Sequence, residues 1–182
     1  SYAPNAALTM DEYGRLTPGL KKFPSAKDGK GFKHLADYVH SKGLKFGIHI
    51  MRGIPRQAVE KNTPVLGTKV RAKDIALTNS RCPWNPDMYG VDATKPEGQA
   101  YYNSIIQMYA DWGVDYIKID DISRPYDNVQ KAEIEAMRKA IDKTKRPIIL
   151  SLSPGATPVA AGEHVASHAN MWRITDDFWD RW

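Results

Sequence analysis

Polar and charged side chains cluster at four points along the chain, each directly after a short apolar run. His49 lies near the end of KFGIHI with Arg52 just past it, Asp120 ends YIKID with Asp121 next, Ser151 and Ser153 close PIILSLS, and Arg173 and Thr175 close MWRIT with Asp176 and Asp177 next. Each run reads as a short strand, rich in β-branched and other apolar residues. Side chains alternate across a strand, so residue parity sorts them into two faces. In YIKID, Lys118 and Asp120 share one face, while Ile117, Ile119 and Asp121 share the other. An apolar layer would not tolerate Lys118, so the Lys118–Asp120 face is the one expected to line a polar interior. The same parity places Lys45, Gly47 and His49 inward, then Ile149, Ser151 and Ser153, and then Arg173, Thr175 and Asp177. One face therefore gathers His49, Lys118, Asp120, Ser151, Ser153, Arg173 and Asp177. Two carboxylates from different strands with cations beside them suit hydrolysis of a glycosidic bond, which needs a nucleophile or base and a proton donor. A neighbouring Lys or Arg favours the ionised form, as a nucleophile requires. The proton donor needs a less cationic setting.

Helical patterns separate these strands. Residues 29–43 carry Phe32, Leu35, Ala36 and Val39 on one face and end at Gly43, and residues 96–113 open with Pro96 and Glu97 and close at Gly113. Residues 128–144 form a broad apolar face, and an Ala- and His-rich helix is expected over 159–169. Alternating strands and helices imply parallel pairing through crossovers. Either an open doubly wound sheet or part of a (β/α)8 barrel fits. Four strands fall short of a barrel's eight, and the chain stops at Trp182 directly after a strand, which reads as a piece of something longer. Residues 52–95 show no clear helix or core strand and are punctuated by Pro55, Pro64, Pro83 and Pro86. A connection of that length is expected to be an ordered, functional loop on the strand C-terminal face.

Composition excludes several classes. With 42% hydrophobic and 26% charged residues over 182 positions, the chain reads as an ordinary globular unit. The net charge of +5 comes from 26 basic and 21 acidic residues spread along the helices, with no basic run interleaved with aromatics, so no nucleic-acid partner is expected. No apolar run approaches the roughly 20 residues of a membrane helix. The opening SYAPNAALTMDEYG has neither a basic nor an apolar signal region, so no signal peptide is expected there. A single cysteine, Cys82, excludes an intrachain disulfide and a multi-cysteine metal site.

Three segments resemble glycoside hydrolase family 27, the α-galactosidase (melibiase) family. GRLTPGLKKFPS with GFKHLADYVHSKGLKFGIHI is similar to the stretch leading into that family's third barrel strand. ADWGVDYIKIDD resembles its nucleophile strand, and WRITDDF the segment in which an Arg precedes the acid/base Asp by four positions. The resemblance implies a single catalytic (β/α)8 barrel domain, of which this chain covers about strands three to six. It implies a retaining double displacement on terminal α-linked galactose-like sugars, with Asp120 as nucleophile and Asp177 as acid/base. Lys118 and Arg173 would bind sugar hydroxyls. Cys82 and Trp84 fall where the family's loop borders the sugar, with Trp84 placed to stack on an apolar sugar face. A secreted or periplasmic location and no cofactor are further implications.

The departures are specific. His49 stands where the family commonly has Tyr, and either a substrate contact or a satisfied polar core residue fits it. Ile122 stands where a cysteine would pair with one in the long loop. SLSPG (151–155) replaces the segment that reads the sugar's C2 substituent, leaving galactose, N-acetylgalactosamine and arabinopyranose open. Two rival classes stand beside this reading. One is a metal-dependent barrel enzyme using Asp120, Asp121, Asp176 and Asp177 as oxygen ligands, disfavoured because adjacent aspartates on a strand face opposite ways. The other is a non-catalytic barrel piece; the 182 residues alone are expected to turn over little or no substrate.

Overall fold

The computed structural model describes residues 7–153 and 155–177. Its centre is a four-stranded parallel sheet in the order β1 (Gly47–Met51), β5 (Tyr116–Asp120), β6 (Ile149–Leu152) and β7 (Met171–Trp172). Chain order between β1 and β5 is taken up by β2 (Ile54–Pro55), α2 (Arg56–Lys61), α3 (Ala72–Ile75), β3 (Ala76–Arg81), β4 (Met88–Val91) and α4 (Pro96–Asp111). Helix α1 (Lys33–Ser41) precedes β1, α5 (Asn128–Thr144) links β5 to β6, and α6 (Gly162–His168) links β6 to β7.

Strand parity matches the faces expected from sequence. Ile117 and Ile119 of β5 and Leu150 and Leu152 of β6 are fully buried, packed with Ile134, Met137 and Ile141 of α5 and with Tyr102 and Ile106 of α4. Burying one such side chain contributes about 1.5–3 kcal/mol, so the apolar face fixes which way the strands turn. The opposite face aligns His49 with Lys118, Lys118 with Ser151, and Ser151 with Met171.

The helices start and stop where local chemistry directs. Asp127 caps α5, its carboxylate accepting from the Val129 and Gln130 N–H groups at 2.8 and 3.4 Å. Pro96 opens α4, and beyond its end Gly113 takes φ +85°. Directly below β5, Asp115 accepts from Phe46 N (2.9 Å), His40 Nε2 (2.6 Å) and Arg146 Nη2 (2.7 Å). Arg146 also donates to the Val114 and Gly113 carbonyls. This knot closes the N-terminal end of the sheet, opposite the candidate site.

Three expectations change. Residues 52–95 are ordered but are more than a loop: β2, β4 and β3 form a second, antiparallel sheet in that order, flanked by α2 and α3. Gly53 (φ +88°) is required at its entry, because a Cβ there would meet the Tyr89 carbonyl oxygen at 2.0 Å. Strand β7 ends at Trp172 rather than Thr175, since the Arg173 carbonyl turns to accept from Thr157 N at 2.9 Å. The 159–169 helix splits into a 3-10 turn at Val159–Ala161 and α6. The helix start read in FWDRW (178–182) and Pro154 of SLSPG lie outside the described residues. Among the described residues, no helix is long and apolar enough to cross a membrane.

Candidate active site

Asp120 is the last residue of β5 and is 6% exposed. His49 Nε2 lies 2.9 Å from its Oδ2, Lys118 Nζ 3.9 Å from the same oxygen, and the Asp121 N–H donates to Oδ1 at 3.0 Å. Burial alone would raise the pKa of this carboxyl, but the His49 hydrogen bond, the Lys118 charge and the Asp121 N–H together outweigh it. The carboxyl is held below the ordinary aspartate range. His49 and Lys118 keep much of their side chains exposed, 43% and 39%, so the carboxylate sits at the floor of an accessible face with these two neighbours above it.

Asp121 has a separate environment. Its φ of +59° takes it out of the strand, and the chain turns it away from Asp120's face. Arg52 Nε donates to its carbonyl at 2.6 Å and to its Oδ2 at 3.1 Å. The same guanidinium reaches Glu133 Oε2 (3.0 Å) and Ser80 Oγ (3.0 Å), while Glu133 Oε1 accepts from Tyr102 OH (2.7 Å) and Val91 N (2.9 Å). Arg52 is 3% exposed and Glu133 fully buried. Burial pushes both Asp121 and Glu133 up from their ordinary pKa values, even against the pull of Arg52. Cys82, 2% exposed, places its thiol against Asp121; burial and that carboxylate push the thiol up to about 12. One buried guanidinium thus joins the ends of β1 and β5, helix α5 and the inserted sheet.

The remaining candidates fall on the same side of the main sheet or on its flanking loops. Ser151 lies in β6 and Ser153 directly follows it; both are buried, and the Ser153 hydroxyl has no hydrogen-bond partner among the described residues. Arg173 Nη1 pairs with Asp177 Oδ1, and Arg124 Nη1 with Asp176 Oδ1 at 2.9 Å. Asp177 is half exposed and Trp84, on the inserted segment, is 45% exposed. The structure therefore brings together His49, Lys118 and Asp120, and separately Arg173 and Asp177. It places Cys82 behind Asp121, beneath the surface. Arg52 and Glu133 escaped sequence reasoning as a pair. Their one signal was a glutamate on the apolar stripe of α5, between Gln130, Ile134 and Met137.

Comparison with known proteins gives this arrangement a context. A family model described as alpha galactosidase A matches residues 4–60 and 87–182, leaving out the outer part of the inserted segment. The alpha-galactosidase of Coffea arabica is 31% identical over 180 residues, covering 97% of this chain and 36% of that protein. The alpha-N-acetylgalactosaminidase of Gallus gallus is 30% identical over 182 residues, covering 97% of this chain and 35% of that protein. A solved GH27 β-L-arabinopyranosidase of Geobacillus stearothermophilus is 62% identical with a TM-score of 0.94, covering 100% of this chain and 42% of that one. An aspartate-to-alanine variant of that enzyme was solved in complex with arabinose. The chain spans about a third of the length of these two curated relatives, and its parallel sheet is a sector of a (β/α)8 barrel.

Proposed function

The chain belongs to glycoside hydrolase family 27, the α-galactosidase family, and we propose that it carries both catalytic carboxylates of a retaining glycosidase. In this reading Asp120 attacks the anomeric carbon as Asp177 protonates the departing glycosidic oxygen. A glycosyl ester on Asp120 forms and the bond to the leaving alcohol breaks. Water, deprotonated by Asp177, then releases the sugar and restores Asp120. The observation that carries the assignment is the setting of Asp120, a buried carboxylate kept ionised by His49 and Lys118 and open to the face above. In this reading Arg173, which pairs with Asp177, also binds substrate hydroxyls.

The sugar proposed first is a terminal β-L-arabinopyranoside, and α-D-galactoside is the second reading. The two share the arrangement of ring hydroxyls and differ by the hydroxymethyl group on the ring. The 62% identity to an arabinopyranosidase favours the first. The test uses the full protein that carries this chain. Asp120→Gly should lower hydrolysis of an aryl β-L-arabinopyranoside by on the order of 10⁴ or more, and azide should restore turnover as a glycosyl azide. Full activity in Asp120→Gly removes the nucleophile assignment. A kcat/KM greater for the aryl α-D-galactoside than for the arabinoside removes the sugar assignment and leaves the mechanism standing.

A further inference from the structure

On the helical side of the sheet, away from Asp120, Glu135 of α5 meets His164 and His168 of α6. One ligating atom from each lies within 4.8 Å of the others, and all three residues are half-buried. His164 and His168 are four residues apart on a helix, so both rings project from one face, with centroids 4.5 Å apart. We propose that these three side chains bind a divalent transition-metal ion of the zinc type, as a clip between two barrel helices.

The orientation of the rings supports ligation. His168 Nδ1 lies 2.7 Å from the His164 carbonyl oxygen, which can only accept, so Nδ1 carries the hydrogen and Nε2 keeps its lone pair. His164 Nδ1 is 2.7 Å from Tyr126 OH, leaving Nε2 toward Glu135. Imidazoles that bind metals through one nitrogen are held in this way through the other, by a carbonyl, carboxylate or hydroxyl. The spacing also agrees. A tetrahedral zinc with bonds of about 2.0–2.1 Å sets its ligands roughly 3.3–3.4 Å apart. His164 Nε2 and Glu135 Oε1 are already 3.3 Å apart. All three ligating atoms lie within 4.8 Å of one another. Two histidines and a carboxylate, with no thiolate, leave a fourth position for water. Lys139 Nζ, 3.6 Å from Glu135 Oε2, holds the second carboxylate oxygen and leaves Oε1 for the ion.

The consequence reaches the candidate active site through Tyr126. This residue lies in the connection from β5 to α5, with Asp120 and Asp121 at the start of the same segment. An ion that fixes His164 fixes the Tyr126 hydroxyl, and with it the loop that leaves the nucleophile strand. The site is therefore a stabilising one and takes no part in bond cleavage.

The test is zinc titration calorimetry and thermal melting of the chelator-treated full protein, with His168→Gln and Tyr126→Phe beside the parent. The parent should bind zinc with a rise in Tm. His168→Gln should weaken that binding by about 100-fold or more and abolish the rise, and Tyr126→Phe should weaken it by roughly 10-fold. Magnesium, which prefers six oxygens, should give no rise. Equal zinc affinity in the parent and both variants would place the ion elsewhere and overturn the proposal. So would a parent with no zinc-dependent heat or change in Tm, which leaves Glu135 and His164 as an ordinary ion pair. Should His168→Gln fail to fold, Tyr126→Phe alone decides between these outcomes.

Discussion

His49 on β1 and Asp120 on β5 meet across two adjacent parallel strands, with Nε2 2.9 Å from Oδ2. An ionised carboxylate only accepts, so His49 Nε2 is the donor. His49→Leu removes a hydrogen bond to a charged group, worth about 1.5–3 kcal/mol, and should lower kcat/KM by roughly 10–100-fold. The direction of the pH effect follows from Asp120's position. Its pKa is depressed, so the ionised form that the proposed mechanism uses is lost as pH falls through that value. Without His49, burial is less opposed and the acid limb of the kcat/KM profile should move to higher pH. An unmoved acid limb in His49→Leu would mean that another group controls it.

Glu133 and Arg52 are each buried and each satisfied by the other and by neighbouring polar groups. Removing one partner strands the other charge. Glu133→Ala should cost about 3–5 kcal/mol and lower Tm by on the order of 10 °C. Replacing both with methionine should recover part of the loss, because the desolvation of both charges is removed with the pair while Asp121 loses its guanidinium partner. Calorimetric melting of the three proteins checks this, and a double variant less stable than Glu133→Ala would contradict it.

Cys82 should be inert in the folded protein. Burial first, and the Asp121 carboxylate beside it, push the thiol up to about 12. At pH 8 its thiolate fraction is then roughly a thousandfold below that of a free thiol. A disulfide exchange reagent should label it only as the protein unfolds, with a rate that follows denaturant. Prompt stoichiometric labelling under native conditions would show the segment around Cys82 opening on its own.

Asp115 should make stability depend on acid. Burial opposes its ionisation, but the Phe46 N–H, His40 and Arg146 outweigh this and hold its pKa below the ordinary aspartate range. The unfolded chain, with an aspartate near pKa 3.9, binds the proton more readily, so the contribution is full above that pH. It fades as pH falls through the lower folded value. Asp115→Asn should therefore melt well below the parent at pH 7 and converge on it under strongly acid conditions. A Tm difference that stays constant with pH would assign the effect to packing.

The parallel strands and their connecting helices were legible because the main signals agreed. Apolar parity set the faces of β5 and β6, and Pro96 marked the start of α4. Parity also brought His49, Lys118 and Asp120 together, since strand register is all that their meeting requires. The second sheet was hidden by short strands and prolines: β2 is two residues, one of them Pro55, and β4 reads MYGV without alternation. Arg52, Asp121 and Glu133 are far apart in sequence, and no spacing rule joins them. Only a charge on the apolar stripe of α5 hinted that a buried partner existed. The early end of β7 depends on one carbonyl turning to Thr157, a tertiary choice without a local signature.

The Arg52 guanidinium fastens the inserted sheet at its base, through Ser80 and through Glu133, which also accepts from Val91 N. The far end of the same excursion turns at Gly67, where an added side-chain atom would meet nothing within 4 Å. The fastening and the free end are thus separate in space. Residues 61–86, unmatched by the family model, include that turn. Chain can be lengthened, shortened or exchanged around Gly67 while Ser80, Arg52 and Glu133 keep the base of the inserted sheet fastened. The excursion behaves as an interchangeable head on a fixed collar, its outer turn open to change without retuning the carboxylate at the end of β5.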